Sequence, residues 1–153
     1  MRRYFALLAS FSILSCDGGA SSYSSIYGEG ELKPGTGARW YTREQITSGA
    51  ELFSQNCAVC HGEEAQGTVT DWKQRMDNGS FPPPPLNGTA HAWHHPTSML
   101  LQVINAGGEP YGGMMPAFSD ILEDAEKLAV IAYFQNFWSD EIYEQWELMG
   151  GTN

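Results

Sequence analysis

Apolar and small residues recur at three- and four-residue intervals after Thr42, in the order Ile46, Gly49, Ala50, Phe53. This spacing places them on one face of a helix through "REQITSGAELFSQ". Thr42 followed by Gln45 has the sequence pattern of a capping box. The pattern therefore predicts a first helix that begins next to Thr42.

Two further helices are predicted over about 97–106, "TSMLLQVINA", and 123–138, "EDAEKLAVIAYFQNFW". A Gly-Gly pair ends the former. The latter is apolar on most sides, which predicts a central position in the fold. Glu123 is a weaker cap than Ser or Thr, so Asp120 is predicted as an alternative cap.

A short amphipathic helix is predicted after Ser139, with Ile142, Trp146 and Met149 spaced four and three apart. No convincing alternating strand pattern is found, and Gly- and Pro-rich loops separate the helices. The predicted fold class is all-α.

The chain divides into four predicted segments. Residues 1–15 form a signal peptide, because a short basic start precedes an apolar run far below the roughly 20 residues that cross a bilayer. The run ends at Cys16 and resembles a bacterial lipobox, which implies a lipid anchor on Cys16; a plain signal peptide cut nearby is the alternative. Residues 16–40 are a flexible Gly/Ser-rich linker, 41–138 the main domain and 139–153 a helical tail.

The composition is that of a globular protein, with 42% hydrophobic residues. Lys and Arg total 8 against 18 Asp and Glu, a formal charge of -10. Nucleic acid phosphates would be repelled by such a surface, whereas a basic partner protein would not. With 3 cysteines, one assigned to the anchor, no disulfide framework is predicted.

The segment "NCAVCHG" contains Cys57, Cys60 and His61, the Cys-x-x-Cys-His signature of c-type haem attachment. One tight turn can bring two thiols to the two vinyl groups on one porphyrin edge and an imidazole beneath the iron. Thiol–disulfide exchange and half of a zinc site are alternatives for Cys-x-x-Cys. The zinc site would take its other ligands from the three histidines of "HAWHHP", His91, His94 and His95.

The stretch "YGGMMPAF", 111–118, supplies a soft thioether ligand. With it, residues 42–138 resemble a class I cytochrome c domain. The resemblance implies an all-α fold with crossed N- and C-terminal helices around one covalently bound haem c. It makes His61 and Met115, the methionine before proline, the axial ligands of the iron; Met114 is the alternative.

The resemblance extends to the helices and to a proline loop. Gly49 and Phe53 match the family's first helix, and "VIAYF", 130–134, matches the last, so Tyr133 is expected to pack at their crossing. In "PPPPLNG", Pro84 is expected to accept a hydrogen bond from the axial histidine, and Leu86 to lie against the porphyrin. A polyproline linker is the alternative. The segment "TVTDWKQRMDNGS" makes the approach to this loop longer than in small family members.

For the three histidines, a haem or copper role is weighed against ordinary loop residues. For Trp72 and Trp93, a position near a haem propionate is weighed against ordinary core packing. Glu63 and Glu64, immediately after the motif, would give an acidic docking rim; the alternative is a solvated helix end.

The expected function is single-electron transfer between periplasmic or membrane-bound redox proteins, without an enzymatic activity of its own. The expected location is the periplasmic side of a bacterial membrane, where the protein is lipid-anchored or otherwise soluble. The alternatives are an electron-entry subunit of a periplasmic oxidoreductase complex and, further off, a copper- or ligand-binding haem module.

Overall fold

The computed structural model describes residues 38–153, which are helical and contain no strand. Along this part of the chain the helices are α1 (Arg43–Asn56), α2 (Ala58–His61), α3 (Thr97–Ala106), α4 (Asp124–Gln135) and α5 (Asp140–Leu148). Two 3₁₀ turns cover Ala92–His94 and Glu109–Tyr111. The all-α prediction is confirmed, and α3 has the predicted bounds.

The predicted signal peptide, Cys16 and the linker up to residue 37 lie outside the described residues. Within residues 38–153, no helix has the length and apolar character needed to cross a membrane.

Helix α1 begins at the predicted capping box. The backbone N–H of Gln45 donates to Thr42 Oγ1 at 3.2 Å, and the N–H of Thr42 donates to Gln45 Oε1 at 2.9 Å. The two bonds satisfy backbone donors that would otherwise lack partners at the helix start. They fix where α1 begins, and its buried face is formed by Ile46, Gly49 and Phe53.

Helices α1 and α4 cross at Gly49, where a Cβ atom would overlap the backbone carbonyl of Ala129 and lie 3.0 Å from Tyr133 Cβ. The ring of Phe53, fully buried, packs against that of Tyr133 with centroids 5.1 Å apart. Only glycine permits two backbones to approach this closely. The predicted crossing is confirmed, and it holds the end of α1 against the core.

Helix α4 is central, as predicted, with more than half of its residues buried: Lys127, Ala129, Val130, Ile131, Ala132, Phe134 and Gln135. The predicted cap at Asp120 is wrong. Glu123 occupies the cap position, and its N–H donates to Glu126 Oε2 at 2.8 Å. Asp120 lies in the preceding turn and is exposed. The helix ends at Gln135, short of the predicted Trp138.

Helix α5 begins after Ser139, as predicted, and Ser139 Oγ accepts the N–H of Ile142 at 3.3 Å. Its buried face is formed by Tyr143 and Trp146, whereas Met149, assigned to the apolar face by its spacing, is 57% exposed. Met149 follows the last residue of the helix, so the helical spacing no longer orients its side chain.

The end of the chain folds back onto the start of α3. Trp146 Nε1 donates to the carbonyl of His95 at 2.9 Å, and the N–H of Thr97 donates to the carbonyl of Gly151 at 2.7 Å. The Gly151 carbonyl thus provides an acceptor for an N–H at a helix start where Pro96 offers no side-chain cap.

Contacts within the domain begin before Tyr41. Arg39 pairs with Asp140 at 2.7 Å and lies 3.9 Å from the centroid of the Tyr143 ring. Trp40 Nε1 donates to Gln135 Oε1 at 2.7 Å. The last residues of the predicted linker therefore pack against α4 and α5.

Candidate functional site

The Cys-x-x-Cys-His segment forms a single helical turn at the end of α1. Cys57 is both the last cap of α1 and the first cap of α2, and the N–H of His61 donates to the Cys57 carbonyl at 2.9 Å. Gly62, with φ 77°, ends the turn. Cys57 and Cys60 are both free thiols. The fold thus presents two thiols and an imidazole from one short turn.

His61 is held by a hydrogen bond to the proline loop. His61 is 7% exposed, and its Nδ1 donates to the carbonyl oxygen of Pro84 at 2.9 Å. Burial lowers the pKa of His61, and the Pro84 bond opposes this only in part. The ring is therefore neutral at pH 7, and no described residue makes a hydrogen bond to Nε2. A neutral, oriented imidazole with a free Nε2 is the form that ligates a metal.

The proline loop is held from two sides. The N–H of Leu86 donates to the carbonyl of Ala65 at 2.7 Å, and the Leu86 carbonyl accepts from Trp138 Nε1 at 2.8 Å. The Leu86 side chain is half-buried against the core. These bonds fix the Pro84 carbonyl, which in turn orients His61, and they argue against a free polyproline linker.

Met115 is held by the glycine pair after α3. The N–H of Gly108 donates to the Met115 carbonyl at 2.8 Å, and a Cβ on Gly107 would lie 2.7 Å from that oxygen. The Met115 side chain is half-buried against the core, whereas Met114 is 63% exposed. The sequence pattern predicts only a helix stop at Gly107 and Gly108. Their close approach to residues more than six positions away has no local sequence signal.

Thiol–disulfide exchange fits this turn poorly. Burial, and to a smaller extent the neighbouring Cys60, raise the pKa of the Cys57 thiol to about 11. Reactive exchange cysteines have lowered pKa values, because the thiolate is the nucleophile. Cys57 is instead a half-buried, protonated thiol at neutral pH.

A zinc or copper site at the histidines is likewise unsupported. In residues 38–153, no group of three or more His, Cys, Asp or Glu side chains is placed to hold a metal ion. His91 and His94 are exposed, and the rings of His91 and His95 meet edge to face at 5.6 Å. The histidines do not converge with Cys57 and Cys60.

The two tryptophans, Trp72 and Trp93, pack against two of these histidines. Trp72 stacks on His91 with ring centroids 4.9 Å apart, and half-buried Trp93 meets His94 edge to face at 3.9 Å.

Glu63, after the motif, is exposed, and its carbonyl accepts a 2.7 Å hydrogen bond from the hydroxyl of Tyr133. This bond ties the segment after His61 to α4.

The donor set fits a c-type haem. Two free thiols from one turn suit thioether formation with two vinyl groups, and a neutral histidine with a methionine thioether is a known axial pair for electron-transfer haem. The observation that carries this fit is the buried His61 ring, with Nδ1 bonded to Pro84 and Nε2 left free.

Comparison with known proteins identifies the family of the domain. Residues 44–134, more than half of the chain, match the family described as cytochrome c oxidase, cbb3-type, subunit III. The cbb3-type cytochrome c oxidase subunit CcoP of Azospirillum brasilense is 34% identical over 88 residues, covering 58% of this chain and 27% of that protein. The cytochrome c subunit of the quinone alcohol dehydrogenase of Gluconobacter oxydans is 28% identical over 103 residues, covering 63% and 19%.

The chain thus spans little more than a quarter of the CcoP relative it matches. Among solved structures, cytochrome cL of Methylophaga aminisulfidivorans has a TM-score of 0.52 at 22% identity, covering 84% of this chain and 85% of that one. This likeness supports the class I cytochrome c-like fold. The chain belongs to the family of cbb3-type cytochrome c oxidase subunit III, as a c-type cytochrome domain with covalently bound haem.

Proposed function

We propose that the protein passes single electrons between redox proteins at the periplasmic side of a bacterial membrane. Cys57 and Cys60 would hold the haem through thioether bonds, and His61 and Met115 would ligate the iron. The supporting observation is the orientation of His61, buried and bonded through Nδ1 to Pro84 one turn after two free thiols.

In this proposal the chain supplies the ligands of the iron, the surroundings of the haem and the surface that a partner protein contacts. The haem supplies reversible one-electron chemistry, and His/Met ligation favours its reduced state. Pro84 fixes the histidine ring, Leu86 would lie against the porphyrin, and ligation by both His61 and Met115 would leave no position on the iron for a substrate. Exposed Glu63 and Glu64 beside the motif would favour a basic partner protein.

A redox titration with spectra recorded throughout tests the ligand assignment. We expect Met115→Ala to lower the potential, within the roughly 0.8 V range that axial ligands control, and to abolish the weak far-red ferric band of iron–thioether charge transfer. Imidazole should then bind the ferric iron far more tightly than in the wild type. Met114→Ala is the matched control and should keep band and potential. If Met115→Ala kept both the band and the potential of the wild type, another residue would be the ligand of the iron.

We further propose that Cys16 carries a lipid that holds the domain at a membrane. The support is the sequence alone: a basic start, an apolar run and a small residue before the cysteine. Cys16→Ser is expected to move the protein from the membrane fraction to the soluble periplasmic fraction, while Ser21→Ala leaves it in place. Membrane-bound Cys16→Ser protein in carbonate-washed fractions would count against lipidation.

A second candidate is an electron-entry subunit of an oxidoreductase complex. The observation that favours it is that two matched relatives are named as subunits of a cytochrome c oxidase and of a quinone alcohol dehydrogenase. Mild detergent purification discriminates the two proposals. A stoichiometric larger redox subunit supports this candidate, and a lone cytochrome that exchanges electrons with added partners supports the first.

A further inference from the structure

The exposed Met114 has a specific partner in the loop that lengthens the approach to Pro84. Asn78 Nδ2 donates to Met114 Sδ at 2.9 Å. The orientation of the Asn78 amide is fixed at its other end, since Oδ1 accepts both the N–H of Ser80 at 3.0 Å and its hydroxyl at 2.7 Å. With the oxygen occupied by two donors, the NH₂ group is the end that faces the sulfur.

Asn78 lies at the tip of a closed turn. The N–H of Met76 donates to the Ser80 carbonyl at 2.9 Å, and the N–H of Gly79 donates to the Met76 carbonyl at 2.9 Å. The Arg75 guanidinium lies over the Phe81 ring at 4.0 Å and also donates to the Gly79 carbonyl. The 75–81 turn is thus held by its own bonds and does not depend on Met114 for its shape.

The two adjacent methionines are held in different ways. Met115 is fixed through its backbone by Gly108 and packs against the core, whereas Met114 is exposed and bonded through its sulfur to Asn78. The bond directs the Met114 sulfur toward the 75–81 turn. To ligate an iron held by His61 in place of Met115, whose side chain packs against the core, Met114 would have to turn its sulfur away from Asn78.

We propose that Asn78 is a positioning residue that decides which methionine ligates the iron, because it holds the sulfur of Met114 away from the haem. This inference rests on the proposed function, since it presumes methionine ligation. Its physical content is a competition for one axial position, in which Met115 wins because its rival is bonded elsewhere.

The experiment compares five haem-loaded proteins: the wild type, Met115→Ala, Asn78→Asp, the Met115→Ala/Asn78→Asp double variant, and the Met115→Ala/Ser80→Ala double variant. Asp keeps the acceptor that Ser80 bonds, so the turn is retained, but it cannot donate to sulfur. Ser80→Ala is the matched control, because it alters the same turn and leaves the amide donor of Asn78 in place. The readouts are the far-red iron–thioether band and the affinity of ferric iron for imidazole.

The band should be present in the wild type and lost in Met115→Ala. In Met115→Ala/Asn78→Asp it should return, with a matching fall in imidazole affinity, because the released Met114 now ligates the iron. Met115→Ala/Ser80→Ala should stay without the band. A band retained in Met115→Ala alone, or none in the Asn78→Asp double variant, overturns the role of Asn78. Absence of the band from the wild type overturns methionine ligation itself, and this inference with it.

Discussion

Replacing both Cys57 and Cys60 by alanine is expected to abolish covalent haem attachment. The two thiols come from one turn, both are free, and Cys16 lies outside the 41–138 domain. No thiol in that domain would then remain to form a thioether. Acid-acetone extraction should leave the haem on the wild type and remove any haem from the double variant.

Single variants show whether each thiol forms its own bond to the haem. Cys57→Ala and Cys60→Ala each retain one thiol, so each is expected to keep some haem through a single bond. His91→Ala, which replaces a histidine outside the motif, is the control, and its haem should be attached as fully as in the wild type. Haem that resists extraction in the Cys57→Ala/Cys60→Ala protein would show that attachment uses other groups.

Gly49→Ala is expected to lower the free energy of unfolding, although alanine is the better helix former. The added Cβ would overlap the backbone carbonyl of Ala129, and a backbone cannot move aside as a flexible side chain can. Overpacking of this kind costs about 1–3 kcal/mol, against a gain of about 1 kcal/mol from helix propensity. Urea unfolding of the haem-loaded protein, followed by circular dichroism, measures the difference.

The neighbouring Ser48 offers the control for Gly49. It is exposed on α1, and its hydroxyl makes only a 3.3 Å bond to the carbonyl of Gln45. Ser48→Ala should therefore change stability by about 0.5 kcal/mol or less. If Gly49→Ala were as stable as the wild type, the α1–α4 crossing could not be as close as described.

The sequence predicted the helices well because their signals are local. The capping pair Thr42 and Gln45, the 3.6-residue spacing and the Gly-Gly stop all act within a few residues. The error at Asp120 has a local cause too: Asp is the better cap in general, but Glu126 reaches back to the N–H of Glu123 and starts α4 there. The hydrogen bond between Glu126 and the Glu123 N–H therefore outweighs the general preference for Asp at the cap position.

The site was predictable only in part, for the opposite reason. The cysteine–histidine motif is contiguous, and its turn follows directly from the end of α1. The orientation of the two methionines depends on Gly108 and on Asn78, which is 36 residues from Met114. No periodicity or spacing connects such positions, so the sequence alone left Met114 and Met115 open as alternatives.

Covalent attachment of haem to both Cys57 and Cys60 is tested by mass spectrometry of the exported wild-type protein, with peptide mapping across residues 57–61. We expect one peptide that carries the added mass of a single haem on Cys57 and Cys60. Both thiols free in protein exported by cells that can attach haem would contradict it.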